Sequence, residues 1–116
     1  QSALESAKAK TFEDCADAYI DANRAGWKNE KHAQQWQNTL ATYAYPKFGR
    51  LHVASIDTGM VLEVLQQPVG SAGQTLWLNK TETASRLRGR IESILDWATF
   101  RGYRQGNNPA RWKGHL

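Results

Sequence analysis

The spacing of apolar residues between positions 81 and 101 constrains the fold more than any other feature of the sequence. Apolar side chains recur there every three or four positions. At about 100° per residue they fall on one face of an α-helix, within about 100° of arc. Because Gly102 supplies a natural stop, we predict a long amphipathic helix over 81–101. The residues of its buried face are Ala84, Leu87, Ile91, Ile94, Leu95 and Ala98.

Three shorter helices precede this one. Thr11 and Asp14 have the spacing of a capping box, which predicts that the first helix begins at once after Thr11. Pro46 is predicted to end the second helix, because proline disfavours helical geometry in the residue before it. Without any alternating strand pattern, four helices with short connectors predict an all-α, orthogonal four-helix bundle. The three predicted helices span 12–26, 29–43 and 57–67, and the connector 49–56 should place Leu51, Val53 and Ile56 in the core.

Length and composition indicate a single domain inside a cell. The chain has 116 residues, enough for one modest core, and residues 1–10 have the composition of a leader. No stretch has the ~18 apolar residues that span a bilayer, and no signal peptide opens the chain. The lone Cys15 cannot form an internal disulfide, which fits a reducing cytoplasm, and its apolar neighbours predict that it is buried.

Charge is unevenly distributed along the chain. Residues 1–79 hold seven Lys/Arg and eight Asp/Glu, a balance of −1, whereas residues 80–116 hold eight and three, a balance of +5. The two sum to the net charge of +4. A basic C-terminal third on a near-neutral body indicates an anionic partner.

The three arginines of the long helix project from it at different angles about the helix axis. Arg86 and Arg90 share a polar flank with Thr83, and no acidic residue stands four positions after either arginine. Arg88 projects beside the apolar face, where it should pair with an acid or extend along the surface. The like charges of Arg86 and Arg90 cost a few tenths of a kcal/mol (about 0.2–0.5), a cost that a nearby phosphate would remove. Spacing alone leaves open a solvated face or a DNA-binding face.

The polar face of the second helix has the same two interpretations. It carries amide, hydroxyl and lysine side chains and few acids. Amides can pair with adenine edges, and lysine and threonine suit phosphates; a solvated glutamine-rich face is the alternative. The residues concerned are Lys31, Gln34, Gln35, Asn38 and Thr42.

The sequence contains no cofactor or metal motif. His32, His52 and His115 do not share metal-ligand spacing with each other or with Cys15, and surface or capping roles are predicted for them. No glycine-rich phosphate loop and no nucleophile elbow occurs. We therefore expect no cofactor, no metal and no small-molecule ligand.

Four segments together resemble the core-binding domain of phage integrases of the tyrosine recombinase family. They are "TFEDCADAYI", "HAQQWQNTL", "YPKFGRLHVASID" and "TETASRLRGRIESILDWATFRGYRQGNNPARWKGHL", and the resemblance covers residues 11–116. It implies a SAM-like helical domain that forms half of a C-shaped clamp on double-stranded DNA at a core-type attachment site. It also implies recombinase protomers in a tetrameric synapse and a cytoplasmic, nucleoid-associated location in a bacterial host.

The resemblance implies a DNA-binding surface on the second and fourth helices. Its residues would be Lys28, Lys31, Gln35, Asn38, Thr42, Thr83, Arg86 and Arg90. The implied domain boundaries are a leader over 1–10, a DNA-binding domain over 11–106, and the start of a linker to a catalytic domain over 107–116.

The catalytic residues of that family have no counterpart in this sequence. None of the three histidines is followed three positions later by arginine, so the family's H-x-x-R motif is absent and the four tyrosines lack catalytic partners. We therefore expect no strand cleavage by this chain. Two alternatives remain at this point: a helical protein-interaction module that docks a partner through residues 76–78, and a stand-alone DNA-binding regulator.

Overall fold

The computed structural model describes residues 10–27, 29–69 and 73–111. Every regular element in these ranges is helical, with two isolated β-bridges and no strand. The all-α prediction is thus confirmed. The α-helices are α1 Phe12–Arg24, α2 Glu30–Thr39, α3 Tyr45–Phe48, α4 Thr58–Leu65, α5 Leu76–Asn79 and α6 Thr81–Phe100, with a π-helical turn at Leu40–Ala44 and a 3-10 turn at Val53–Ser55.

Helix α6 forms the centre of the core, as its periodicity predicts. All six residues of its apolar face are fully buried. They pack against α1, α4 and α5, and α1 contributes Phe12, Ile20 and Cys15 to the same cluster. Burial, together with the charge of Asp14, raises the pKa of the Cys15 thiol to about 11, so this side chain is a neutral core group at physiological pH.

The first turn of α1 is capped from two directions. Asp14 N donates to Thr11 Oγ1 at 3.0 Å and Thr11 N donates to Asp14 Oδ2 at 3.2 Å, which confirms the capping box. Phe12 N donates to the carbonyl of Leu51, 3.0 Å away. Of the connector residues expected in the core, Val53 and Ile56 are buried but Leu51 is exposed. The prediction for Leu51 is wrong because its backbone satisfies the helix end while its side chain faces outward.

The second helix does not end before Pro46. A π-helical turn, in which Tyr45 N donates to the carbonyl of Leu40, continues the helical path into α3. Pro46 then lies in the first turn of α3, where its missing N–H is tolerated. Gly49 ends α3, and a Cβ at this position would lie 2.8 Å from the Cα of Tyr45, so only glycine fits.

After α6 the chain turns back onto it. Gly102 has a φ of +84° and stops the helix as predicted. Residues 104–111, which we call the return segment, then pack against α6. Asn108 is buried there, and its Nδ2 donates to the carbonyl of Glu92 at 2.8 Å and to Asp96 Oδ1 at 2.9 Å. Residues 107–111 therefore do not extend away from the bundle, and the linker boundary at residue 107 stays a prediction.

Candidate nucleic-acid interface

Helices α2 and α6 enclose a shallow cleft of about 450 Å³. We call it the α2–α6 cleft; it is lined by His32, Gln35, Thr39, Thr83, Arg86 and Arg90. A second hollow of about 510 Å³, the adjoining hollow, is lined by Gly26, Trp27, Asn29, Lys31, His32 and Gln35. The two share His32 and Gln35, and none of the described residues that line them is acidic.

The structure brings half of the predicted DNA-binding residues together at this cleft. Gln35 of α2 faces Thr83, Arg86 and Arg90 of α6, and Lys31 borders the adjoining hollow. Asn38 and Thr42 are exposed but line neither depression. Lys28 lies outside the residues that the structure describes.

Arg86 is the exposed cation of the cleft. Its side chain is 63% exposed, and one guanidinium nitrogen lies 3.8 Å from Glu82 Oε1. No acid stands four residues after Arg86, but Glu82 stands four residues before it, so the sequence comparison in one direction missed this partner. At this distance and exposure the ion pair is weak.

Arg90 connects the two helices. Its Nη1 donates to Thr39 Oγ1 at 2.8 Å and to the carbonyl of Gln35 at 3.2 Å. The guanidinium carbon also lies 5.4 Å from the ring centroid of Trp36, a cation–π contact. Burial, and next the charge of Arg86, lowers the pKa of Arg90. Arg90 thus holds α2 against α6, unlike Arg86.

Aromatic side chains pack against one another beside the cleft. Trp36 stacks on Tyr19 and on Trp27, with centroid separations of 5.3 and 5.2 Å. Its Nε1 donates to His32 Nε2 at 3.3 Å. These contacts fix the face of α2 that turns toward α6.

Two residues of the cleft were not among the predicted DNA-binding set. His32 stands four positions before Trp36, and Thr39 stands four positions after Gln35, whose carbonyl accepts its hydroxyl hydrogen bond at 2.7 Å. Helical spacing was the sequence signal that could have placed both residues on the same side of α2 as the predicted set. It did not reveal Arg90 as the partner of Thr39, since that contact crosses between helices.

Three arginines of the basic C-terminal third are engaged within the fold. Arg88 Nη1 lies 2.7 Å from Glu92 Oε1 and donates to the carbonyl of Ala110 at 2.8 Å, which confirms its predicted pairing with an acid. Arg111 pairs with Asp96 at 3.7 Å, and Arg104 is buried. The cationic surface that remains on α6 within the cleft is therefore centred on Arg86.

The described residues include no helix that is both long and apolar enough to cross a membrane. In the same ranges, no group of three or more His, Cys, Asp or Glu residues has the arrangement of a metal site.

Comparison with known proteins identifies the domain. The solution NMR structure of protein Nmul_A0922 from Nitrosospira multiformis is 55% identical in sequence, with a TM-score of 0.79, over 92% of this chain and 93% of that one. No curated protein matches the sequence. The family model of the phage integrase central domain matches residues 12–115, from the first residue of α1 past the return segment. The chain therefore belongs to the phage integrase central domain family.

Proposed function

We propose that this domain binds double-stranded DNA at a core-type attachment site through the α2–α6 cleft and the adjoining hollow. The observation that carries the proposal is the cleft itself. Residues distant in sequence, Gln35 on α2 and Thr83 and Arg86 on α6, meet at one surface whose lining contains no acid. Lys31 extends the cationic edge into the adjoining hollow. Such a surface attracts phosphates and offers hydrogen-bonding groups to them.

The residues divide by chemistry within this proposal. Arg86 and Lys31 neutralise backbone phosphates and supply the salt-dependent part of the affinity. The amides of Gln35 and Asn38 offer a donor and an acceptor side by side, the pattern that matches an adenine edge. Arg90 positions α2 and is not assigned a direct contact, because its guanidinium is engaged by Thr39, Gln35 and Trp36.

We further propose that this domain does not itself cleave DNA. The packing of its tyrosines supports this. Tyr19 stacks on Trp36, and Tyr103 packs edge-on against Trp97 at 5.9 Å. Burial, with smaller contributions from Asp17 and Glu13, raises the pKa of the Tyr45 phenol, which makes it a poor nucleophile.

In the full recombinase, strand cleavage then falls to a separate catalytic domain. The domain described above would hold the attachment site during integration and recombination. The proposal includes assembly of protomers on DNA as a tetrameric synapse, in the cytoplasm and at the nucleoid of a bacterial host.

The protein-interaction alternative has one observation in its favour. Leu78 is 75% exposed on α5, but Leu76 is buried in the core and Trp77 is partly buried. A single exposed leucine provides less apolar area than a docking surface requires, so the DNA-binding proposal is preferred. A stand-alone regulator would bind DNA through the same cleft. A recombinase differs from it by having a catalytic domain in the same protein.

The proposal is tested by titrating a fluorescent mixed-sequence duplex of about 40 base pairs with the 116-residue chain, starting at about 50 mM salt. We expect Arg86→Ala to weaken binding and to reduce the slope of log affinity against log salt by about 0.9, the loss of one phosphate contact. Arg101→Ala is the control, because it removes the same charge from an exposed arginine that packs over Trp97 outside the cleft. Absence of binding by the wild type, or equal effects of the two substitutions, contradicts the proposal.

A further inference from the structure

We propose that His32 is an additional DNA contact, which donates a hydrogen bond from Nδ1 to a phosphate oxygen where the α2–α6 cleft meets the adjoining hollow. The inference rests on the proposed function and extends it to a residue whose sequence context indicates only a surface or capping role. His32 and Gln35 are the two residues that border both depressions.

Local contacts orient the imidazole. The ring lies against Trp27 at a centroid distance of 4.7 Å and an interplanar angle of 66°. Its Nε2 accepts the hydrogen bond from Trp36 Nε1 at 3.3 Å. A neutral imidazole carries one N–H, so when Nε2 accepts, the proton resides on Nδ1. The nitrogen left for a ligand is therefore a hydrogen-bond donor, which suits an anion.

The helix backbone holds the residue in place as well. His32 N donates to Asn29 Oδ1 at 3.1 Å in the cap of α2. The position of the ring is thus set by the cap below it and by two tryptophans beside it, before any ligand arrives. A donor held in this way loses little conformational entropy on binding.

The charged groups around His32 favour an anionic ligand. Lys31 of α2 borders the adjoining hollow, and Arg86 and Arg90 face the cleft from α6. The acid of α2 that stands nearest in sequence, Glu30, is engaged by Arg24 at 3.4 Å. A bound phosphate favours the positively charged form of an imidazole that contacts it. Proton uptake occurs at Nε2, where it replaces the hydrogen bond from Trp36 with a positive charge on the ring that faces the phosphate. DNA binding is then coupled to proton uptake by His32.

The test is the pH dependence of binding to the same mixed-sequence duplex at constant salt. An ordinary imidazole titrates near pH 6.5, which lies within the range from pH 8 to pH 6. We expect the wild-type affinity to rise about threefold to tenfold as the pH falls across this range, with a maximum of tenfold per pH unit for one proton. The slope of log affinity against log salt should steepen by up to about 0.9 at the lower pH.

Two substitutions separate the roles of the two ring nitrogens. His32→Gln places an amide oxygen near Nε2, so it retains an acceptor for Trp36 but loses the Nδ1 donor. His32→Asn places an amide nitrogen near Nδ1 and retains the donor. We expect the Asn variant to bind as the wild type does at pH 8 and the Gln variant to bind more weakly, and neither to gain affinity at pH 6. His52→Gln is the control, since His52 is exposed in the turn that pairs with Thr11 and lies outside both depressions.

The outcomes are distinguishable. Wild-type pH dependence in His32→Gln, or an equal loss of that dependence in His52→Gln, overturns the role of His32 and leaves the proposed function standing. Failure of the wild type to bind DNA at either pH overturns both. A far-UV circular dichroism spectrum and a urea unfolding midpoint for each variant verify that the substitution has not unfolded α2.

Discussion

Two arginines that lie four residues apart on α6 have different environments. Arg86 is mostly exposed and has one weak ion pair with Glu82. Arg90 donates to two oxygens of α2 and lies over the ring of Trp36. A helical projection places both arginines on the same flank. It gives only the angle of each residue about the axis of α6 and contains no information about the position of α2. The difference arises from the approach of α2.

This difference predicts separate effects on folding. Arg90→Ala should reduce the free energy of unfolding by about 2 kcal/mol, because a hydrogen bond from a charged donor contributes about 1.5–3 kcal/mol and the cation–π contact adds about 0.5–1 kcal/mol. Arg86→Ala should change it by less than about 0.5 kcal/mol. Urea unfolding followed by tryptophan fluorescence measures both. Equal destabilisation by the two substitutions would show that Arg90 does not join the helices.

At the scale of elements, local signals predicted the helices well and one boundary poorly. The apolar period of α6 and the capping box of α1 are properties of a few neighbouring residues, and both are confirmed. The end of the second helix was also predicted locally, from Pro46. It was wrong because a π-helical turn, which widens the ladder by one residue, lets the helical path continue.

The return segment shows the same limit. The residues "GNNPA" have turn-forming composition, which indicates a loop and nothing about where the loop lies. Its place is fixed by Asn108, whose amide is matched to two acceptors of α6 and whose Oδ1 accepts from Ala110 N at 2.9 Å. These partners stand up to 16 residues away, beyond any local pattern.

Asn108 is therefore predicted to be a principal anchor of the C-terminal part of the bundle. Asn108→Ala leaves the buried Ala110 N without its acceptor and removes both donors to α6, so it should cost about 2–3 kcal/mol of unfolding free energy. Asn107→Ala is a matched control, because Asn107 is exposed and the contact it makes to Arg104 uses its backbone carbonyl. Urea midpoints measure the two. Similar stability of both variants would mean that the segment is held by packing of Pro109 and Ala110 instead.

At the scale of the whole molecule, charges are sorted by element. The exposed side of α1 carries Glu13, Asp17 and Asp21 at helical spacing. Burial, followed by these neighbouring carboxylates, raises the pKa of Asp17. The lining of the α2–α6 cleft, in contrast, has no acid. This separation orients an approaching polyanion toward one surface. The +5 balance of residues 80–116 already counts the acids that pair with Arg88 and Arg111.

A pair of charge-matched substitutions tests whether the local field or the net charge governs binding. Glu82→Gln and Glu63→Gln each remove one negative charge, but Glu82 contacts Arg86 at 3.8 Å and Glu63 is exposed on α4. We expect Glu82→Gln to raise DNA affinity by about twofold to fivefold at about 50 mM salt, and Glu63→Gln to have little effect, because charges more than about 10 Å from a phosphate are screened as salt increases.

The two variants should converge toward the wild type at high salt. Glu82 also stands in the first turn of α6, where it interacts favourably with the helix dipole, so Glu82→Gln should lose about 0.3–1 kcal/mol of stability while it gains affinity. Affinity and stability that move in opposite directions for this one variant are the signature of an acid that restrains Arg86. If Glu63→Gln raises affinity as much as Glu82→Gln does, binding follows the overall charge of the domain, and the α2–α6 cleft is not its focus.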